Sequence, residues 1–379
     1  MQKSSLYRAT GLLSLLITGL FGCSKINGIN NNTVIETPFS LYFSDTAGAL
    51  YNSNDGITVN KPITFQPDGF PCRAICTVND NLLWVKSGLL ISSNNGVNFN
   101  HSFDSVNSLP GIACNGYHFD LNQSMIISVP DLGKVYIASN SIDIANYVGL
   151  YSSYQEAFAG TWLPERSDTS VAGQPPNFGT YPVRITTMTY MPSISLLAGY
   201  DPTLNRNFYL TKGLFWREST GDASGSPYNI SGTPLPDSGH YYLGHINSRL
   251  IAISPMGNCT VTPALYSDDT GRNWKPYSGL PSNPLLCIAS PFEEVCLIGT
   301  DSAGLYILNQ NTGTTWQQET NNGLGTNLVV RSIAYKQNIY KNGTIKKYVF
   351  LATNQGIYMS TDLGNNWTLT IPGNYVAIY

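Results

Sequence analysis

Two short stretches far apart in the chain share one spacing of residues. That spacing constrains the fold more than anything else in the sequence. Ser267-Asp268-Asp269-Thr270-Gly271-Arg272-Asn273-Trp274 reads S-x-D-x-G-x-x-W, and Ser360-Thr361-Asp362-Leu363-Gly364-Asn365-Asn366-Trp367 reads the same. A looser copy at residues 92–99 has Asn94 in place of the acid and Phe99 in place of the Trp. Further copies stand at residues 309–316 and 52–59. Two more are inferred from spacing. One lies near Ser139, completed by Gly160-Thr161-Trp162 after an insertion, and the other is shortened to residues 211–216. Self-similarity at a fixed period marks a repeat architecture.

The chemistry of the box is local. An Asp or Asn side chain can accept hydrogen bonds from backbone N–H groups of its own turn. The Gly adopts a conformation that a Cβ would penalise. The Ser hydroxyl ties the ends of the turn, and the Trp or Phe is expected to pack beneath it against the next sheet. The motif therefore reads as a rigid connection between strands, not as a catalytic site.

The flanks supply the strands. Short apolar runs precede the last box at residues 329–335, 348–353 and 356–360, and the box at Ser92 at residues 73–78, 82–86 and 88–92. Another strand follows each box. Four short strands per unit of about 40 to 55 residues is the pattern of a propeller blade. A Leu-Pro step recurs between units at Leu109-Pro110, Leu235-Pro236 and Leu280-Pro281. The first unit starts at Pro38 with only three strands, residues 39–43, 49–52 and 57–60. The chain ends in Asn374-Tyr375-Val376-Ala377-Ile378-Tyr379, a lone strand pattern. The expectation is an all-β, seven-bladed β-propeller of four-stranded antiparallel blades. Residues 374–379 would complete the first blade and remove two unpaired edges.

With these boxes the sequence resembles the Asp-box, or BNR-repeat, propellers, a group that includes sialidases, sortilin-like receptors and photosystem II assembly factors. Residues 330–367 are similar to a full family repeat, and the resemblance covers most of residues 38–379. It implies architecture more than function, because this fold hosts unrelated activities.

Residues 1–22 read as a signal peptide. Lys3 and Arg8 give a basic start, and residues 9–21 form an apolar run too short to span a bilayer as a permanent helix. The run ends in Leu20-Phe21-Gly22-Cys23, which resembles the bacterial lipoprotein signal, with Phe21 a departure from the small residue usual there. The resemblance implies lipidation of Cys23, and Ser24 in place of Asp resembles the sorting pattern for an outer membrane. The alternative is an ordinary secretory signal with a chance Cys. Residues 23–37 read as a flexible tether, and residues 38–379 as the propeller. Six cysteines remain: Cys72, Cys76, Cys114, Cys259, Cys287 and Cys296. An oxidising compartment permits disulfides among them, and buried free thiols are the alternative.

Charged residues make up 11% of the chain, against about 25% in an average soluble protein. The net charge is -3, which offers no phosphate-tracking surface and argues against nucleic acid as a partner. Three arginines nevertheless recur at one place in the repeat: Arg73, Arg184 and Arg331, each at the start of an expected inner strand. Equivalent positions on a propeller lie on one face around the axis. The three form the candidate ligand site at the ring mouth, suited to an anionic ligand or a carboxylate. The bland alternative is that such an Arg bonds loop carbonyls.

Sialidases of the resembled group use an arginine triad, a Tyr–Glu nucleophile pair and an Asp acid. Their Arg-Ile-Pro motif is missing here. Val183-Arg184-Ile185-Thr186 lacks the Pro, and among 24 Tyr no Tyr–Glu pair can be matched. Of the four His, His101, His118, His240 and His245, the last two are five apart and face opposite sides of a regular strand. No G-x-S-x-G, phosphate loop or H-E-x-x-H occurs, so no catalytic residue is assigned and no cofactor or metal is expected. Residues 146–182 are the least repeat-like stretch. They carry Tyr147, Tyr151, Tyr154, Phe158 and Trp162, suited either to protein or sugar contacts or to a blade's own packing. The reading that follows is a non-catalytic binding or assembly module. It is held to the cell envelope by lipid on Cys23, with an envelope protein or glycan as partner. The alternative is a sialidase-like glycoside hydrolase acting on an anionic sugar.

Overall fold

The computed structural model describes residues 34–60, 72, 74–78, 81–85, 89–101, 126–129, 133–139, 149–154, 163–164, 187–192, 196–201, 206–211, 214–217, 241–254, 264–269, 271, 273–309, 315–320 and 322–379. They divide into two units. The smaller gathers the chain up to Phe39 with residues 337–346, and the larger gathers residues 40–336 and 347–379.

The smaller unit contributes β1 (Ile35–Thr37). In the larger, β2 (Leu41–Asp45) and β3 (Leu50–Ser53) begin the first sheet. The second sheet is β4 (Ala74–Val78), β5 (Asn81–Val85), β6 (Leu89–Ser92) and β7 (Asn100–His101). The third is β8 (Ile126–Val129), β9 (Lys134–Ser139), β10 (Gly149–Tyr154) and β11 (Leu163–Pro164). The fourth is β12 (Thr187–Met191), β13 (Leu196–Asp201), β14 (Arg206–Thr211) and β15 (Leu214–Arg217). The fifth is β16 (Tyr242–Ile246), β17 (Arg249–Ile253), β18 (Ala264–Ser267) and β19 (Lys275–Pro276). The sixth is β20 (Leu285–Ala289), β21 (Val295–Thr300), β22 (Leu305–Asn309) and β23 (Gln317–Gln318). The seventh holds β24 (Val330–Tyr340), β25 (Ile345–Thr353), β26 (Gly356–Ser360) and β27 (Thr368–Pro372). β28 (Tyr375–Ile378) then returns to pair antiparallel with β2, Phe43 opposite Ile378, as the terminal strand pattern predicts. Residues 57–60 form no strand; Asn60 N–H to Asn52 O at 2.9 Å is their link to β3.

Each sheet is an antiparallel meander with its leading strand at one edge, except that in the seventh β1 pairs beyond the end of β24, Ile35 opposite Tyr340. The leading strands are neighbours in turn: β28 beside β4, then β8, β12, β16 and β20. The Cys287 thiol of β20 donates to Val330 O of β24 at 3.6 Å, and Ile378 N–H of β28 donates to Ser332 Oγ of β24 at 3.2 Å. The second strand of the sixth sheet, β21, is covered on both faces, which explains its unbroken apolar run. All six residues of β21, Val-Cys-Leu-Ile-Gly-Thr, are buried. The core fills the spaces between sheets. One cluster joins Val295, Leu297 and Ile307 of the sixth sheet to Val349, Leu351 and Trp367 of the seventh. Among the described residues Cys76, Cys287 and Cys296 are thiols outside any disulfide. Burial pushes them up to about 11, 12 and 12.

The boxes fold as their residues dictate. Ser360 Oγ donates to Asp362 Oδ1 at 2.8 Å and accepts Gly364 N–H at 2.9 Å, while Asn366 N–H donates to Asp362 Oδ1 at 2.9 Å. Ser267, Asp269 and Gly271 repeat the scheme, with Gly271 N–H at 2.7 Å from Ser267 Oγ. Asn94 replaces the acid without changing it, Asn98 N–H reaching Asn94 Oδ1 at 2.9 Å. Gly364 has φ +99 and Gly271 φ +91, the left-handed region that glycine occupies freely.

Four expectations need correction. The first box is not framed on Asn52. Ser53 Oγ accepts Gly56 N–H at 2.9 Å and Asp55 is the acid, so its turn is one residue shorter. The buried ring packs against the preceding sheet, not the next. Trp274 joins Met191 and Ala198 of the fourth sheet, and Trp367 joins Leu297 and Ile307 of the sixth. Ser139 ends the second strand of its sheet, whereas Ser267 and Ser360 end third strands, so no box begins at Ser139; residues 155–162 lie outside the described residues. Within residues 146–182 lie β10 and β11, and β10 carries Tyr151 and Tyr154 as part of the third sheet, in line with the blade-packing alternative. In the fourth sheet Thr211 pairs with Leu214, a two-residue connection in place of a box. Residues 310–314 of the copy at Asn309 lie outside the described residues, as do Cys114 and Cys259.

The Trp of a box is latched from the sheet before it. Trp316 N–H donates to Ser278 O at 3.0 Å, and Trp367 N–H donates to Asn322 O at 2.7 Å. Each carbonyl precedes a glycine at positive φ, Gly279 at +87 and Gly323 at +95. A Cβ on Gly323 would stand 2.0 Å from Trp367 O, a backbone atom that cannot swing aside. Gly323→Ala is therefore expected to cost on the order of 2–3 kcal/mol. Urea unfolding should show it against Gly343→Ala, which shares the positive φ but meets open space.

Candidate functional site

Of the three candidate arginines, Arg331 alone falls among the described residues; Arg73 and Arg184 lie outside them, as does Cys23. Arg331 is the second residue of β24. Its Nη1 donates to Asn374 Oδ1 at 2.7 Å and to Tyr375 O at 3.1 Å. Burial holds its guanidinium below its ordinary value, with Asp301 opposing the shift. The side chain thus ties the start of β24 to the start of β28, the carbonyl-bonding role that was its bland alternative.

Further along the leading strands the chemistry is denser. Thr189 of β12, His245 of β16, Glu293 after β20, Tyr335 and Lys336 of β24 and Tyr379 after β28 stand there. Thr189 Oγ1 lies 2.9 Å from His245 Nδ1, and His245 N–H donates to Ser290 Oγ at 2.8 Å. His245 Nε2 is 3.9 Å from Glu293 Oε1. Glu293 is aimed by a tight turn, Pro291–Glu293, in which Phe292 and Glu293 take φ of 55 and 62, a strained setting for side chains of this size. Asn247 N–H holds that turn through Glu293 O at 3.3 Å. Lys347 pairs with Glu294 and stands 5.1 Å over the Phe292 ring. The Phe292 ring meets Tyr335 edge-on at 5.2 Å.

Tyr335 is 45% exposed, and its phenol is raised by the protein crowded around it and then by the Glu293 carboxylate. Lys336 places its ammonium 3.7 Å from the centre of the Tyr379 ring, a cation–π contact, and burial brings it down to about 8. The Tyr379 backbone is fixed by two hydrogen bonds with Tyr42, each 2.8 Å. Beyond it lies the Cys76 thiol, which burial keeps protonated. Among the described residues no group of three or more His, Cys, Asp or Glu is arranged around a common point for a metal.

Sequence reasoning missed this band. His245 was separated from Thr189 by 56 residues and from Ser290 by 45, so no local pattern announced it. It is 3% exposed and burial lowers it to about 4. Its folded value lies below the ordinary value of about 6.5. Between the two, the unfolded chain binds a proton that the fold refuses. The stability this supplies is full above about pH 6.5 and is lost as pH falls toward 4, in all about 3 kcal/mol. Urea unfolding at pH 7.5 and 4.5 should show a smaller loss in His245→Gln.

No protein-family model matches the chain, and no curated protein matches it. Among solved structures it is similar to a protein of unknown function from Desulfotomaculum acetoxidans, 13% identical over 90% of this chain and 98% of that one, with a TM-score of 0.50. It is similar to YCF48 bound to D1 peptide, at 13% identity over 86% of this chain and 92% of that one, with a TM-score of 0.48. It is also similar to the GH74 enzyme of Niastella koreensis, at 14% identity over 85% of this chain and 57% of that one, with a TM-score of 0.30. Likeness at this level speaks to the fold alone. The fold is an array of antiparallel sheets of the β-propeller kind.

Proposed function

We propose that the chain is a closed seven-bladed Asp-box propeller, held to the bacterial cell envelope by lipid on Cys23, and that its work is not catalysis: it binds or assembles an envelope protein or glycan. Arg331 carries this reading. A sialidase-style site needs its arginine clamp and its Tyr–Glu pair on one sugar ring. Here the Arg331 guanidinium is engaged by Asn374 and Tyr375, four residues of strand, or about 13 Å, from Tyr335. The exposed face of Tyr335, flanked by Phe292, suits contact with a partner. Closure is supported by the first sheet's use of the seventh as its preceding neighbour. A Cβ on Gly56 would lie 2.5 Å from the Phe350 ring.

The rival reading, a glycosidase, draws on one observation: Glu293 and Tyr335 are electrostatic neighbours. A panel of fluorogenic sialosides and aryl glycosides separates the two. The expected result is no turnover. Turnover abolished by Glu293→Gln or Tyr335→Phe would overturn the binding reading. Blank glycan arrays together with envelope extracts that yield no partner sensitive to Tyr335→Ala would also count against it. Mass spectrometry of the Cys23 peptide tests the anchor.

A further inference from the structure

The smaller unit is a β-hairpin tip with one added strand. Tyr340 N–H donates to Thr344 O at 2.9 Å and Gly343 N–H to Tyr340 O at 2.8 Å, closing a tight turn. β1 lies against this tip, Ile35 opposite Tyr340, with Lys341 N–H donating to Val34 O at 3.0 Å. Phe39 N–H donates to the buried Asn338 Oδ1 at 2.9 Å. Val34, the first described residue of the chain, is thus bonded to this hairpin. The stretch from Cys23 to Val34 reaches at most about 40 Å when fully extended.

The tip's surface differs from that of the chain as a whole. Residues 341–346, Lys-Asn-Gly-Thr-Ile-Lys, are exposed throughout, and Ile345 is 51% and Ile35 41% exposed. Lys341 and Lys346 have no carboxylate partner among the described residues, and Glu36 is the one acid of the described unit. The Lys346 ammonium stands 5.3 Å over the ring of Tyr340, which is 9% exposed. In a chain with 11% charged residues and a net charge of -3, this is a local cationic tip with apolar side chains beside the charges. Lysines whose stems lie along apolar surface, next to exposed aliphatic groups and a Tyr, suit the boundary between water and lipid headgroups.

We propose that the hairpin tip, through Lys341, Lys346, Ile345 and Ile35, docks on an anionic phospholipid surface and so sets the orientation of the tethered unit at the membrane. This rests on the anchored reading above only for the source of the surface. The anchor raises the local concentration of the tip at the surface, and an excess of vesicles does the same in its absence. Each lysine near an anionic leaflet adds about a fivefold gain in partition, which salt screens.

The test uses the protein purified from membranes as the cell makes it, mixed with vesicles of phosphatidylglycerol and, separately, of phosphatidylcholine. Hydrogen exchange of the amides at 341–346 reads docking. Slower exchange on phosphatidylglycerol alone is expected, reversed by high salt. The partition should fall about fivefold for each of Lys341→Gln and Lys346→Gln, with melting unchanged. Ile345→Asn should weaken it on its own. Equal exchange on the two vesicles, or an effect untouched by these substitutions, would overturn the proposal. The mass of the Cys23 peptide reads lipidation in the same preparation. The vesicle comparison can be made with or without lipid, so the anchor and the docking surface fail separately.

Discussion

Removal of residues 374–379 is expected to lower the apparent melting temperature by about 10 °C or more. β28 is the leading strand of the first sheet, although it is the last strand of the chain. Its Ile378 is fully buried, and Tyr375 and Ala377 nearly so. The Tyr375 ring meets Phe43 edge-on at 5.1 Å. Tyr42 loses two backbone hydrogen bonds with Tyr379, and Ser332 loses its bonds to Ile378. Asn374 and Tyr375 are also the partners of Arg331, whose half-buried charge would be left uncompensated. Burial of the three side chains alone amounts to roughly 5 kcal/mol. The truncation also leaves β2 paired with β3 alone and exposes its other edge, so the shortened chain should self-associate. Differential scanning calorimetry and light scattering check both effects. An unchanged melt would mean that β28 adds little to the first sheet. Arg331→Ala, which cuts one tie and keeps the strand, should fall between the truncated and intact chains.

What the sequence made legible was what short range controls. The boxes at Ser267 and Ser360 could be read because Ser, Asp and Gly satisfy one another within five residues. Ser92 could be read through an Asn substitution because the amide oxygen accepts the same N–H. The return of β28 to β2 was legible because one sheet lacked a leading strand and one strand lacked a sheet. The frame at Ser53 slipped for the same local reason: Asn52 kept the usual spacing to Gly56, and no single position shows that a turn has lost a residue. The direction in which each Trp packs was not legible, because it is decided by how one sheet lies on another. Nothing in Trp274 distinguishes Ala198 before it from a residue of the sheet after it. The band of His245, Glu293, Tyr335 and Lys336 was hidden for the same reason. Its members come from three different sheets, the fifth, sixth and seventh, and the positive φ of Phe292 and Glu293 appears at residues with no turn signature. Arg331 was found by its place in the repeat, and only its bonds to Asn374 and Tyr375 show what that place does.

The packing of the box ring toward the preceding sheet leads to the second large effect. Trp367→Ala is expected to destabilise by about 3–5 kcal/mol, the range for deleting a buried Trp. The ring is 4% exposed and lies in the cluster that joins Leu297 and Ile307 of the sixth sheet to Val349 and Leu351 of the seventh. Its Nε1–H donates to Gly364 O at 2.8 Å, so the indole also holds the turn that carries it. Truncation leaves a cavity between two sheets whose backbones are separately pinned and cannot close on it. Asn322 O still accepts Trp367 N–H, and that latch does not depend on the side chain. Trp367→Phe should recover part of the loss by refilling the space without the indole hydrogen bond. Asp362→Ala, which removes only the partly exposed turn acid, should cost about 1 kcal/mol. Leu369→Ala, at a position 41% exposed, should be nearly neutral. The ordering of these variants in urea unfolding decides the role of the box. If Asp362→Ala matched Trp367→Ala, the turn would be the stabilising element. If Trp367→Ala dominates as expected, the box is mainly a device for seating one large ring between consecutive sheets.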